Sequence, residues 1–460
     1  MWVIVMKKSA NSMLSGSLFS GIIFYTIPII LTSVLQLLFN AADLVVVGRF
    51  RGSLTVGAVG ATGAITTLII NLFIGLSIGA GVSVAHAIGS RRTQALHETI
   101  HTVLPASVIS GIFLTVVGIF FSEPLLRMMH TPAQQLPLAA LYMKIYFGGI
   151  TFTMVYNFCS AILRAAGDTK RPLFYLTISG CINVALNLLF VVVFNMSVEG
   201  VALATVISQA VSAVLVVRAL MMRDDGCKLV LSKLHIYKAP LLKMLRIGIP
   251  AGLQGSLFSI SNVMIQTSIN SFGETMVAAN AAAANLDSFV FAGLDAFSQT
   301  SVNYTAQNVA AGKYERVKRI SWTCFACVTM VGLISGFIVW LLGPWLLHIY
   351  ITDSTEAIGY GMIRLTYICL PYFICGLMNV TTGLLRGIGA SITPMLLSVL
   401  GVCGLRILWI ATVFRLPAFH SPQSLYFTYP LSWLITFLLQ LVAFVILFRR
   451  YVRSHSMVTQ

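Results

Sequence analysis

The chain has 460 residues, of which 58% are hydrophobic and 9% are charged, and its formal net charge is +16. Soluble domains carry about 25% charged residues, so this composition excludes a soluble enzyme and a soluble binding domain. The eight cysteines are scattered through apolar segments and include one isolated CxxC, Cys324 and Cys327. They indicate small apolar residues in helix interfaces, and we predict no metal site.

Twelve apolar runs are long enough to cross about 30 Å of hydrocarbon as α-helices. We therefore predict an all-α polytopic membrane protein with twelve transmembrane helices. No cleaved signal peptide is expected, because a long apolar run follows Lys7 and Lys8 without a cleavage site. In chain order the predicted spans are 15–47, 54–85, 96–121, 134–162, 171–195, 198–222, 241–269, 275–310, 316–343, 356–384, 392–415 and 424–448.

The basic residues fall mostly on one side of this map of spans. Of the 29 Lys and Arg, only Arg49, Arg51, Arg127 and Arg415 fall on the other side. The positive-inside rule therefore predicts that both termini are cytoplasmic, as expected for a multi-pass protein of the cell (inner) membrane. This asymmetry accounts for the positive net charge, so no nucleic-acid partner is expected.

The longest connection, 223–240, is rich in charge and lies on the predicted cytoplasmic side. We interpret it as a linker between an N-terminal six-helix lobe, 1–222, and a C-terminal six-helix lobe, 241–460.

An internal repeat supports this division. Pro28 and Pro250 are 222 residues apart, and Asn40 and Asn262 have the same offset. The turns 163–167 and 385–389 match as well, and each carries Arg in the last helical turn followed by Gly as a candidate left-handed cap. Six spans per half start both halves on the same side, which predicts a parallel repeat of the kind that supports alternating access.

Asp43 is one of three clear acidic residues inside the predicted spans. A carboxylate is costly in the bilayer and should face protein or water. Gln36, Asn40 and Asp43 share one face of span 1 by helical spacing. Asp43 is therefore a candidate for binding a coupling cation, and the alternative is an interfacial residue that reaches external water.

Span 5 carries Asn183 and Asn187 four residues apart, either as lining of the same cavity or as interhelical hydrogen-bonding groups. The second half offers further substrate-cavity candidates. They are Asn262 and Gln266 (with Asn270 on the same stripe of span 7), Asp287 and Asp295 of span 8, and Arg406 of span 11.

Arg406 is a candidate partner for Asp287 or Asp295, as a structural ion pair or in transport. Lys144 and Arg364 are expected to extend toward the membrane interface.

The order of these features resembles the MATE (multidrug and toxic compound extrusion) family of the MOP superfamily, in its bacterial form. The similar segments are Pro28, Gln36, 43–48, 58–60, 75–79, the turn 163–168 with Pro172, and 306–308. The resemblance implies two six-helix lobes in a V shape around a central cavity. It also implies export of amphipathic, often cationic, compounds driven by an H⁺ or Na⁺ gradient.

By the same resemblance, Asp43 matches the cation-coupling acid of the first lobe, and Asn183 and Asn187 match its span 5 motif. Some members carry Asp where this chain has Asn187, so a two-carboxylate site is not expected in that lobe. Span 7 also lacks the Glu, and span 10 the Asp, that other branches use.

We therefore predict a secondary antiporter that exports amphipathic, cationic drugs or metabolites in exchange for H⁺ or Na⁺. It is expected to need no cofactor other than that ion and to act as a monomer in the lipid bilayer. The alternatives are a flippase for lipid-linked precursors from the same superfamily and, in another class, a membrane-embedded enzyme. No catalytic cluster is present in the sequence, and an enzyme is not expected.

Overall fold

The computed structural model describes residues 13–129, 131–351 and 354–456, and within these ranges it is helical without β-strands. The helices are α1 Leu18–Arg51, α2 Ser53–Gly89, α3 Thr93–Met128, α4 Leu136–Gly148, α5 Ile150–Ala165, α6 Lys170–Leu188, α7 Val198–Met221, α8 Lys238–Asn270, α9 Glu274–Ala310, α10 Tyr314–Leu341, α11 Gly343–His348, α12 Thr355–Ile368, α13 Tyr372–Gly387, α14 Ile392–Ser398, α15 Leu405–Ala411 and α16 Pro422–Ser456. Two π-helical segments, Leu189–Val193 and Val399–Gly404, extend α6 and join α14 to α15.

The predicted multi-spanning, all-α fold is confirmed. In the described part of the chain, nine helical segments are long and apolar enough to cross a membrane, and two bent pairs, α4 with α5 and α12 with α13, bring the number to 11. The remaining predicted span, 241–269, lies in α8, whose 33 residues extend about 50 Å. This helix contains several polar residues, among them Gln254, Asn262 and Gln266, and is not among the segments counted as apolar enough.

By its internal contacts the chain divides into two compact units. Among the described residues, the first unit comprises 31–129 and 131–252, and the second comprises 13–30, 253–351 and 354–456. Helices α1 and α8 thus each contribute to both units, and each changes unit shortly after its internal proline, Pro28 or Pro250. The lobes expected at 1–222 and 241–460 were defined by the linker, and the two definitions differ at residues 13–30 and 241–252.

The repeated turns have the predicted left-handed caps. Gly167 has φ of 88° and Gly389 has φ of 86°, a region that only glycine enters at little cost. After α5, the N–H of Asp168 donates to the carbonyl of Leu163 at 2.9 Å, and after α13 the N–H of Ala390 donates to Leu385 at 2.9 Å. The N–H groups of the two glycines also donate to the carbonyls of Arg164 and Arg386, and the two turns are therefore matching Schellman motifs.

Within the first unit, α2 and the beginning of α8 approach so closely that only glycine fits. A Cβ at Gly75 would overlap the backbone of Gly252, and one at Gly79 would overlap the carbonyl of Met244. Small residues allow such backbone contact in membrane helices, so Gly75 and Gly79 have a packing role here.

The connection between α7 and α8 packs against the first unit. His101 of α3 accepts a hydrogen bond at Nε2 from the N–H of Val230, at 3.1 Å. Arg223 pairs with Asp225 and lies 3.9 Å from Asp168 of the repeated turn. Burial alone would raise the pKa of Asp225, but its hydrogen bonds with Arg223 and the charge of that residue lower it below its ordinary value.

Candidate functional site

Two close contacts in the first unit fix the position of Asp43 on α1. One turn before it, the ring of Phe39 lies against Gly180 of α6, where a Cβ would overlap the ring. At the end of α1, Arg51 donates from Nη2 to the carbonyl of Val191, at 2.6 Å, in the π-helical extension of α6. Since α1 is held on α6 on both sides of Asp43, its carboxylate lies beside the polar face of α6.

The polar groups at this place are neutral amides and a hydroxyl. Asn187 Nδ2 donates to Asp43 Oδ1 at 2.5 Å and to Asn183 Oδ1 at 3.2 Å. Asn183 Nδ2 donates in turn to the hydroxyl of Thr205 on α7, at 3.4 Å. Asn187 is fully buried and Asp43 is half-buried. The structure thus brings together the three residues that the sequence singled out as a cation-coupling set.

This arrangement leaves oxygen atoms for a cation. Asn187 uses its amide nitrogen for both hydrogen bonds, and its buried Oδ1 has no partner among the described residues. No Lys or Arg nitrogen in the described part of the chain lies within 4.0 Å of the Asp43 carboxylate. The carboxylate is therefore held by neutral donors and not neutralised by a basic side chain.

Gln36 and Asn40 lie on α1 before Asp43, and both side chains are exposed. The described contacts include no hydrogen bond that joins either residue to the Asp43 cluster. Their shared face with Asp43 follows from helical geometry, but the structure does not connect them to it.

The second unit contains a different kind of polar cluster, centred on Asp287 of α9. Arg364 of α12 donates to Asp287 Oδ2 from Nη2 at 2.6 Å and from Nε at 3.0 Å. Arg364 also donates from Nη1 to Asn280 Oδ1 at 2.7 Å, and the same oxygen accepts from the hydroxyl of Tyr426 at 2.8 Å. Asp287 and Arg364 are 5% and 9% exposed, so this is a buried and well-bonded ion pair.

This pair corrects two expectations. Arg364 does not extend to the membrane interface, and Asp287 is paired with it and not with Arg406. The sequence carried a signal for the first point, because Gly361, Arg364 and Ile368 have the spacing of one helical face and all three are buried. Lys144, by contrast, has a half-exposed side chain, 4.0 Å from Glu123.

The predicted stripe on α8 joins this network in part. Gln266 Oε1 accepts from Asn280 Nδ2 at 3.0 Å, and Gln266 Nε2 donates to Asn270 Oδ1 at 2.9 Å. Asn262 is exposed and has no hydrogen bond to the network in the described structure. The polar chain therefore runs from Asn270 through Gln266 and Asn280 to the ion pair.

Asp295 and Arg406 lie apart from that pair. Asp295 accepts from Gln299 Nε2 at 2.9 Å, one turn later on α9. Arg406 donates from Nε to the hydroxyl of Ser432 at 3.1 Å, and its guanidinium lies over the ring of Tyr429. Within the described residues, neither Asp295 nor Arg406 forms an ion pair, so the expected pairing of Arg406 with Asp287 or Asp295 is wrong.

Among the described residues, no three His, Cys, Asp or Glu side chains are grouped so that they could hold a metal ion. Cys324 and Cys327 are buried free thiols in α10.

A sequence model of the MatE family matches residues 28–189 and again residues 250–411. The chain belongs to the MatE family. The two matched segments are equal in length and lie 222 residues apart, which confirms the internal repeat. As a member of this family the chain is a multi-pass membrane transporter and not an enzyme.

Named relatives share most of the length of this MatE protein. It is 28% identical over 393 residues to the "Probable multidrug resistance protein YpnP" of Bacillus subtilis, covering 85% of this chain and 87% of the relative. It is 24% identical over 316 residues to an "FAD transporter" of Shewanella oneidensis, covering 68% and 70%.

Solved structures show the same fold. A multidrug resistance MATE family transporter of the MOP superfamily, described as outward-facing, has a TM-score of 0.88 at 19% identity and covers 96% of this chain and 98% of its own. A MOP superfamily transporter from Pyrococcus furiosus, described as having a binding pocket of reverse polarity, has a TM-score of 0.84 at 20% identity and covers 98% of this chain and 99% of its own. At these identities the likeness establishes the fold.

Proposed function

We propose that this MatE protein is a secondary active antiporter that exports amphipathic, cationic compounds in exchange for H⁺ or Na⁺, with Asp43 as the coupling carboxylate. The observation that carries the proposal is the setting of Asp43: a carboxylate inside a membrane-spanning helix, held by Asn187 and without a basic partner in the described residues. Intramembrane carboxylates are costly, and they commonly belong to ion or proton pathways.

Asn183 and Asn187 are positioning residues in this proposal. Asn187 orients one carboxylate oxygen by its hydrogen bond, and its own buried Oδ1 has no hydrogen-bond partner among the described residues. Carboxylate and amide oxygens together suit a hard cation such as Na⁺, and the carboxylate alone can take a proton. Loading and release of this cation would bias an alternating-access cycle that the parallel repeat allows.

The relatives support the substrate class. The Bacillus subtilis relative carries the name of a multidrug resistance protein, and so does a solved structure of the same fold. Apolar walls bind amphipathic compounds without strict geometry, and an acidic residue favours a cationic centre among them. We further propose that the protein acts as a monomer in the cell membrane, with no cofactor other than the coupling ion.

The test compares two variants in cells that accumulate ethidium. Asp43→Asn keeps the volume of the side chain and an oxygen acceptor but cannot exchange a cation, so we expect inserted protein with efflux reduced to background. Asp295→Asn is the matched control, since Asp295 is also half-buried in a spanning helix, and it should retain most of its efflux. Efflux by Asp43→Asn near that of the unmodified protein would remove Asp43 from the coupling role.

The proposed topology has its own test. A reporter fused after Gln460 and another inserted within 223–240 should both be active on the cytoplasmic side. A periplasmic signal from either fusion would contradict the orientation.

A further inference from the structure

Arg406 of the second unit is a buried cation whose surroundings are unlike those of Arg364. It follows the π-helical segment Val399–Gly404, a distortion that is common at functional sites. The residue is 4% exposed, its Nε donates to Ser432, and its Cζ lies 3.9 Å from the centre of the Tyr429 ring. The ring of Trp433 lies 6.0 Å away.

Most hydrogen-bond donors of Arg406 are unused. An arginine side chain is permanently charged and offers five N–H donors, of which Ser432 takes one. Neither Nη atom has a hydrogen-bond partner among the described residues, and neither belongs to the fully enclosed atoms that lack one. The Nη edge of the guanidinium is therefore unpaired in the described structure and not fully enclosed.

The other buried arginines of this unit have partners at the same edge. Arg364 uses both Nη atoms, for Asp287 and Asn280, and Arg386 donates from Nη2 to Gln254 at 2.8 Å. The face of Tyr429 offsets part of the cost of burying the Arg406 charge, but a neutral hydroxyl and an aromatic ring leave the charge uncompensated. A bound anion would supply the missing counter-charge.

A row of aromatic rings leads from Arg406 to an exposed side chain. Tyr429 and Trp433 have ring centres 5.7 Å apart, and Trp433 stacks on Tyr372 at 5.2 Å with an interplanar angle of 25°. Tyr372 is next to Phe291, at 6.3 Å, and Phe291 is 41% exposed. Trp433 and Tyr372 are 5% and 6% exposed, so the accessible ring surface beside the guanidinium belongs mainly to Tyr429, which is half-buried. An aromatic ring can add an apolar contact to a planar ring system that is bound at a guanidinium.

We propose that Arg406, Tyr429 and Trp433 form a subsite for the carboxylate of a planar aromatic solute. The Nη edge matches the two oxygens of a carboxylate, which it can bind in a bidentate manner. For transport this inference rests on the proposed function, because it assigns the residue that would bind the carboxylate of an exported aromatic zwitterion. Binding at the subsite can be measured without transport.

The test uses tetramethylrhodamine, an aromatic zwitterion, and its methyl ester, which has the same rings and cationic centre but no carboxylate. The full chain is placed in phosphatidylcholine nanodiscs, and binding of each dye is measured by equilibrium dialysis. Arg406→Gln should weaken binding of the acid by about tenfold or more, the effect of losing charge-assisted hydrogen bonds. Binding of the ester should stay within about twofold, since it lacks the group that Arg406 contacts.

Two further variants serve as a control and as a second test of the subsite. Arg415→Gln removes a nearby exposed arginine and should leave binding of both dyes unchanged. Arg406→Lys keeps the charge but loses the bidentate geometry, so it should weaken binding of the acid dye by at least about threefold. This variant keeps the test valid if Arg406→Gln does not fold. Equal losses for acid and ester, or no loss in either Arg406 variant, would overturn the subsite.

The anion could also come from a lipid headgroup, and a second lipid composition separates the sources. Addition of phosphatidylglycerol should leave binding of the acid to the unmodified protein unchanged. Competition by this lipid in the unmodified protein, absent in Arg406→Gln, would assign the site to a headgroup phosphate and overturn the solute proposal. If the protein transports the ester but binding of the acid does not depend on Arg406, the subsite is refuted and the proposed export is not. If binding of the acid depends on Arg406 but the ester is not transported, the proposed export is refuted and the subsite is not.

Discussion

Asp43 and Asp287 are both carboxylates inside spanning helices, but they are stabilised in opposite ways. Asp43 accepts from the amide of Asn187 and has no basic partner among the described residues. Asp287 accepts two hydrogen bonds from one guanidinium, that of Arg364. A carboxylate held by neutral donors can gain and lose a cation, whereas one held by an arginine already has a permanent counter-ion.

The repeat shows that the two sites are not equivalent. The offset of 222 residues places Ile265 opposite Asp43 and Ile65 opposite Asp287. The position that precedes Arg364 by the same offset is Tyr142 on α4, which interacts electrostatically with Asp43 but brings no positive charge. Each half of the chain therefore carries its acid on a different helix, and only the acid of the second unit has an arginine beside it in the described residues.

The largest effect on stability is expected from breaking the ion pair. Arg364→Met should lower the free energy of unfolding by about 3–5 kcal/mol, because it leaves the buried Asp287 carboxylate without its counter-ion. The measurement is unfolding in mixed micelles with a rising fraction of denaturing detergent. Arg415→Met, at an exposed position, is the control and should change the value by less than about 0.5 kcal/mol.

The double variant Arg364→Met with Asp287→Leu should recover most of that loss, since it removes both charges together. If Arg364→Met proves as stable as the control, the pair does not stabilise the second unit.

A smaller effect is expected from the amide beside Asp43. Asn187→Leu keeps the approximate volume and removes the hydrogen bonds to Asp43 and Asn183, which should cost about 1–3 kcal/mol of unfolding free energy. Ethidium efflux should fall as well, because Asp43 loses its orienting donor. Asn262→Leu is the matched control at an exposed amide, and equal effects of the two substitutions would show that Asn187 has no special role.

The smallest change in stability is expected for Asp43→Asn. The new side chain still offers an oxygen to Asn187, so the free energy of unfolding should change by less than about 1 kcal/mol while efflux is lost. Asp287→Asn should cost more, about 3–5 kcal/mol, because it leaves the buried Arg364 guanidinium without its counter-ion. Similar losses of stability in both variants would remove the distinction between the two sites.

Much of this architecture could be predicted from the sequence. Apolar runs predict the spans, because backbone N–H and C=O groups in lipid must form their hydrogen bonds within helices. The turns after Arg164 and Arg386 were predictable because Gly readily adopts the left-handed conformation that caps a helix. The cluster around Asp43 could also be predicted in part, because their spacing of four residues places Asn183 and Asn187 on one face of a helix.

The partner of Asp287 could not be assigned in the same way. Arg364 lies 77 residues away along the chain, on a helix that is followed by a 45° bend, and the rotation of that helix decides where its guanidinium points. Burial of Arg364 could be inferred from its spacing with Gly361 and Ile368. Whether its partner is Asp287 or Asp295 depends on how the helices pack, which the sequence alone does not give. Arg406 was misassigned for the same reason.

The most direct test of the coupling role is ion-driven transport in proteoliposomes, comparing the unmodified protein with Asp43→Asn. Ethidium transport is followed while proton and sodium gradients are imposed and collapsed separately, and ethidium binding is measured in parallel. We predict that the unmodified protein responds to one of the two gradients, and that Asp43→Asn responds to neither while it still binds ethidium. Transport by Asp43→Asn that still rises with the same gradient would contradict the account.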